Sequence, residues 1–196
     1  HPAVREIALL ALARVGGRRC EALLAEGLTH EAIAAVKAHV MPSLIRVETY
    51  SLFKAIAQAY FKDADLLVRQ AAAAALLKIP GKQALRWLEK YRGANPGISM
   101  ISYLLAVGMY PQEEGAYKIL KEACLAGEGA VKLTAIEMMS FAAHADAPAF
   151  LTEIATEIAT EIATEIATEI ARGGAPFSYA AVLALKSLPG TFIEEI

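Results

Sequence analysis

Charge is scarce in this sequence. Only 20% of the 196 residues are Asp, Glu, Lys or Arg, against 56% that are hydrophobic. A disordered chain needs the opposite balance, so disorder is excluded. The formal net charge is −2 and no basic stripe runs along the chain. That excludes a nucleic-acid binder working by bulk electrostatics. Cysteine is rarer still: Cys20 and Cys124 lie far apart, with no CxxC and no nearby Cys/His partner. A disulfide scaffold and a zinc module are excluded, and both thiols read as small buried hydrophobes. Long apolar runs are missing too. The longest uncharged stretch, residues 93–112, is broken by Asn95-Pro96-Gly97 and by Pro111. Its apolar part, Ile98 to Tyr110, is too short to span a bilayer, so no membrane is expected. No signal peptide opens the sequence, and a cytoplasmic location is favoured. No GxSxG, P-loop, GxGxxG or HExxH motif appears, and strand signals are nearly absent.

What is present is a repeat. A branched or bulky residue, often followed by a basic one, precedes a small residue at +4 and an apolar pair at +7/+8. The copies are Val4-Arg5…Ala8…Ala11-Leu12, Val68-Arg69…Ala72…Ala75-Leu76, Val131-Lys132…Ala135…Met138-Met139 and Phe177-Ser178…Ala181…Ala184-Leu185. A weaker copy is Ile98-Ser99…Ser102…Leu105-Ala106. These offsets fall on one face of an α-helix. Val4 and Val68 are two steps of 32 apart, so a further copy is expected near position 36, where Thr29 to Met41 reads as helix without the Val-Arg signature. Between the copies lie further helices, near Arg19–Glu26, Leu44–Phe61, Gln83–Tyr91 and Glu113–Ala126, separated by Gly and Pro breakers. Asp63 and Asp146 read as N-caps.

A helix pair every 30–33 residues, each burying a face on its neighbours, predicts an all-α protein, an α-solenoid of about six helical hairpins. The segments His1-Pro2-Ala3-Val4-Arg5-Glu6-Ile7-Ala8 and Asp65-Leu66-Leu67-Val68-Arg69-Gln70-Ala71-Ala72 resemble the HEAT-repeat family, in particular its short branch in phycobilisome lyases. The resemblance implies a single HEAT-like domain over residues 1–196. It does not fix the function, because that family holds scaffolds, adaptors and a few enzymes. The sequence starts at His1 inside what reads as a second helix, and Thr191–Ile196 starts a helix it does not finish. A fragment of a longer chain is therefore expected.

One segment departs from the pattern. From Thr152 to Ala171 the chain reads Thr-Glu-Ile-Ala five times without error. The step from Val131 to Phe177 is longer than the interval the other copies keep, by about three such units. The first helix of the sixth repeat is therefore expected to be overlong, over Ala147 to Arg172. It would measure about 39 Å at the helical rise. Its period of four rotates the Ile/Ala stripe by about 40° per unit, so one flat core cannot cover it. Ile158, Ile162 and Ile166 are therefore candidates for a self-association or partner contact.

Candidate sites are sparse. His30-Glu31 resembles the His-Glu pairs that ligate iron in a HEAT-like hydroxylase family. That family needs several facing pairs and this chain has one, so no metal or cofactor is expected. Arg5, Arg69 and Lys132 share one slot of the repeat, which in HEAT families often forms a hydrogen-bonded ladder near the inner surface. Trp87, Tyr91 and most other aromatics read as packing between helices. Tyr103 lies off the core face of its helix and is expected to be an exposed binding aromatic. The sequence thus predicts a non-enzymatic scaffold. The second helices of its repeats would line a concave face and hold a protein or peptide, through Arg5, Arg69, Gln70, Tyr103, Lys132 and Glu137. The alternative is a HEAT-type enzyme or lyase subunit with a small ligand in the groove.

Overall fold

The structure is a computed structural model that describes residues 1–171, with side chains to residue 164. Among these residues there are ten α-helices, one short 3-10 turn and no strand. The chain divides into two compact units, His1–Ala145 and Asp146–Ile196. The first holds α1 (Pro2–Val15), α2 (Arg18–His30), α3 (Ala34–Val40), α4 (Tyr50–Lys62), α5 (Leu66–Leu76), α6 (Gly81–Ala94), α7 (Met100–Gly108), α8 (Glu114–Ala126) and α9 (Gly129–Ser140). The second holds α10 (Ala147–Ala171).

The helices of the first unit keep the beat that the sequence sets between Val4 and Val68. The helices α2, α4, α6 and α8 end at Glu31, Asp63, Asn95 and Gly127, which are evenly spaced at that interval. The four stops differ in side chain but share one device. Each backbone N–H turns back to a carbonyl of the helix it closes, at 2.9 to 3.2 Å. The core keeps the same beat. Leu24, Ile56, Leu88 and Leu120, spaced alike, are each no more than 1% exposed. Burying one such side chain contributes about 1.5–3 kcal/mol. Successive members of this set pack on one another, α2 on α4, α4 on α6 and α6 on α8. The interleaved helices do likewise, with α1 on α3, α3 on α5 and α7 on α9. At Gly108 of α7 the approach to α9 is close: a Cβ there would lie 3.0 Å from the Cβ of Met138.

Several local expectations change. The missing copy of the repeat is Val36-Lys37, at the start of α3, with Val36 buried. The helix expected over Leu44–Phe61 starts only at Tyr50, where the Thr49 side chain accepts from Leu52 N. Leu44 and Val47 are buried in extended backbone instead. Asp65, not Asp63, is the N-cap of α5, and its carboxylate accepts from Leu67 N and Val68 N at 2.8 and 3.4 Å. The copy begun at Ile98 becomes helical only at Met100. The copy at Phe177 and the helix expected over Thr191–Ile196 lie outside the described residues.

In the second unit, α10 starts at Ala147, close to where the beat places the successor of α8. It then runs through position 159, where the next stop would fall, to Ala171. It is 25 residues long, against 13 for α2, α4 and α8. Nothing in Thr-Glu-Ile-Ala punctuates a helix. The β-branched threonines are accommodated by back-bonding: Thr152, Thr156, Thr160 and Thr164 each donate Oγ1 to the carbonyl four residues earlier, at 2.7 to 2.9 Å. Along this helix Ile154 is buried, Ile158 is half-buried and Ile162 is 49% exposed. The side chain of Ile166 lies outside the described ones.

Candidate functional site

The repeat allows the same place to be compared at successive helix pairs. Where α2 meets α4, a hollow of about 100 Å³ is lined by Leu28, Ala55, Gln58, Ala59, Lys62 and Asp63, with Lys37 entering from α3. The Lys37 ammonium pairs with the Asp63 carboxylate there. Burial opposes ionisation of the Asp63 carboxyl, but Lys37, the Asp65 backbone N–H and the Arg69 charge together hold it below its ordinary range. The pair lines the hollow and narrows it. Where α4 meets α6, rings do the filling. Phe61 stacks on Tyr91 at 5.9 Å and Phe53 meets Trp87 at 5.4 Å between centroids. Lys62 Nζ reaches Asn95 Oδ1 at 2.8 Å.

Where α6 meets α8, the place is open. A groove of about 650 Å³ is lined by Arg92, Ile119, Glu122, Ala123, Ala126 and Gly127. These positions are the counterparts, two beats on, of Leu28, Ala55, Gln58, Ala59, Lys62 and Asp63 respectively. The replacement of Lys62 by Ala126 and of Asp63 by Gly127 removes the atoms that close the earlier hollow. Met100 and Tyr103 of α7 and Val131 of α9 complete an apolar floor. Glu89, Glu122 and Glu128 stand exposed on the rim. The Arg92 guanidinium lies 4.7 Å from the centre of the Tyr103 ring. Tyr103 itself is only 2% exposed, which corrects the expectation that it projects into solvent. Its ring faces the groove as a wall, and burial pushes its phenol up.

The other residues singled out in the sequence lie elsewhere. The Arg5 guanidinium donates twice to the Glu31 carboxylate, at 2.8 and 3.1 Å. Arg5 and Ile33 N together hold the Glu31 carboxyl down to about 2. Glu31 is thus occupied, and the His30-Glu31 pair offers no free ligand set. Among the described residues no group of three or more His, Cys, Asp and Glu side chains is placed to hold a metal ion. Arg69 donates to the backbone carbonyls of Asp63 and Ala64 at 2.8 and 3.3 Å. Gln70 and Glu137 are exposed, and Lys132 is half-buried in the first turns of α9. Of the six, only Tyr103 lines the groove. Among the described residues, no helix is long and apolar enough to cross a membrane.

Sequence reasoning missed Lys37, which takes the same slot as Arg5 and Arg69. It also missed the groove, where Ala126 and Gly127 stand in place of the charged Lys62 and Asp63.

No protein family, curated protein or solved structure matches the chain.

Proposed function

We propose that the chain is a HEAT-like α-solenoid scaffold that binds a protein or peptide without catalysing a reaction. The open groove between α6 and α8 carries this reading. It is the one place, of three compared along the same set of helices, where the filling side chains are replaced by Ala126 and Gly127. The even beat of stops and core residues supports the solenoid. An apolar floor with a polar rim suits an extended segment better than a small reactant. The side chains entering the groove come mainly from α6 and α8 and from the first turns of α7 and α9, so the binding residues shift from the Arg5 and Arg69 slot to Tyr103, Ile119 and Val131.

The test is isotope-edited NMR of the full chain against an array of short peptides. Binding should shift the amides of Tyr103, Ala123 and Gly127, and Ala126→Trp, which fills the groove from an exposed position, should abolish it. Shifts spread evenly over other helices, or none, would count against the proposal. Self-association through α10 belongs to the same proposal, supported by the exposed Ile162. Light scattering on the chain and on a form with two Thr-Glu-Ile-Ala units checks it, with an unchanged mass ratio to the monomer in both forms as the negative result.

A further inference from the structure

We infer that the groove between α6 and α8 receives a lysine or arginine side chain of a partner peptide, flanked by an apolar residue. The inference rests on the peptide-binding reading above and adds the chemistry of the occupant.

Two observations point to a cation. First, the helices of this set carry a basic residue in their last turn: His30 in α2, Lys62 in α4 and Arg92 in α6. In α8 there is none. The negative end of a helix attracts a cation, and α8 leaves that attraction unanswered within its own last turn. Second, the rim carries Glu89, Glu122 and Glu128 against the single Arg92. A cation entering here meets an excess of negative charge.

The floor then defines the rest of the occupant. Met100, Ile119, Val131 and the Tyr103 ring offer apolar surface beside the charged rim. The methylene stem of a lysine or arginine lies well on such a surface while its head stays near carboxylates and water. A neighbouring leucine-like side chain would occupy the remaining volume. Arg92 stays on Tyr103 and walls the groove from the α6 side. An acidic peptide would face three carboxylates and the helix end with one arginine to help it, which is the basis of discrimination.

The test uses the full chain and four fluorescent peptides of the form acetyl-Gly-Leu-X-Leu-Gly-amide, with X as Lys, Arg, Gln or Glu. The Lys and Arg forms should bind about tenfold more tightly than Gln, and Glu most weakly, with the differences shrinking as salt rises from about 0.05 to about 0.5 M. Glu122→Lys and Glu128→Lys should each weaken the Lys peptide about three- to fivefold, in the range of exposed charge pairs. Both sites are exposed, so folding is not at risk, and Glu26→Lys on α2 makes the same charge change away from the groove. Equal binding of the Lys, Gln and Glu forms would overturn the inference while leaving a peptide groove in place. Equal effects of Glu26→Lys and Glu122→Lys would overturn it as well, as a matter of net charge alone. Binding of no form would overturn it together with the scaffold reading.

Discussion

Arg5 and Glu31 meet through two hydrogen bonds across 26 residues, and one beat further on Lys37 and Asp63 meet across the same separation. A basic residue near the start of one helix thus closes on the stop residue of the next. The Glu31 side chain is almost fully buried, while that of Arg5 is half exposed. Replacing Arg5 by Ala leaves a buried carboxylate with backbone donors alone, Ile33 N at 2.9 Å and, more weakly, Ala32 N. The expected outcome is a loss of stability, read as a lower midpoint of urea unfolding at neutral pH.

The same pair predicts a pH dependence. Arg5 and Ile33 N hold the Glu31 carboxyl at about 2 in the folded chain, against 4.5 for the ordinary group. A depressed carboxyl stabilises the fold fully above its unfolded value. That contribution is lost as pH falls from 4.5 towards 2. Glu31→Gln should therefore cost stability at neutral pH, and the gap between it and the parent should close as the pH is lowered through this window. A gap constant with pH would refute the assignment.

Glu21 is buried in the first turn of α2, the helix that Glu31 closes. Its carboxylate accepts from Glu48 N, Thr49 N and Thr49 Oγ1, at 2.9, 2.8 and 2.6 Å. It therefore fixes the entry into α4. Glu21→Gln puts a donor amide where an acceptor is needed and leaves at least one backbone N–H unpaired. The cost should be about 1–3 kcal/mol. Faster hydrogen exchange should appear at Glu48 and Thr49 before it appears at Leu88.

Tyr110 donates its hydroxyl to Leu76 O at 2.7 Å, satisfying a carbonyl at the end of α5 in a buried setting. Tyr110→Phe keeps the ring and removes the donor. Leu76 O keeps its second bond, from Ile79 N at 3.0 Å, so the cost should be only about 0.5–1.5 kcal/mol, visible as a lower thermal midpoint with an unchanged helical spectrum.

The core column makes a sharper contrast. Leu88→Ala removes a fully buried side chain and should cost about 2–5 kcal/mol. Leu125→Ala changes a residue that is 60% exposed and should move stability by less than about 0.5 kcal/mol. Chemical denaturation of the two variants side by side checks the beat directly.

The all-α class and the positions of most helices of the first unit were legible in the sequence, because Gly and Pro breakers and the Val-Arg pairs recur at one interval. Val36-Lys37 escaped notice because Val40 stands at +4, where the other copies have a small residue, although the structure uses the Lys37 charge, like that of Arg5, to meet a stop residue. The stops themselves were hidden for a related reason. Glu31 and Asp63 share a carboxylate but Asn95 and Gly127 do not, and the task common to all four belongs to the backbone. Leu44 and Val47 misled in the opposite direction, since buried apolar residues in an extended segment carry the same hydrophobicity as helical ones. Tyr103 was singled out for an exposed position and turned out to be a buried wall. The groove beside it is made by missing atoms, and an absence shows in a sequence only when the same place can be read twice, here at Asp63 and at Gly127.

The overrun of α10 gives the chain a different kind of variability. The Thr-Glu-Ile-Ala unit satisfies its own hydroxyls and carries no stop, so a copying error that adds or drops four codons keeps the reading frame and keeps a helix. Each such event would change the length of α10 by about 6 Å. The helix is in effect a telescoping rod whose length is written in copy number, while the beat of the helices before it is set by other residues.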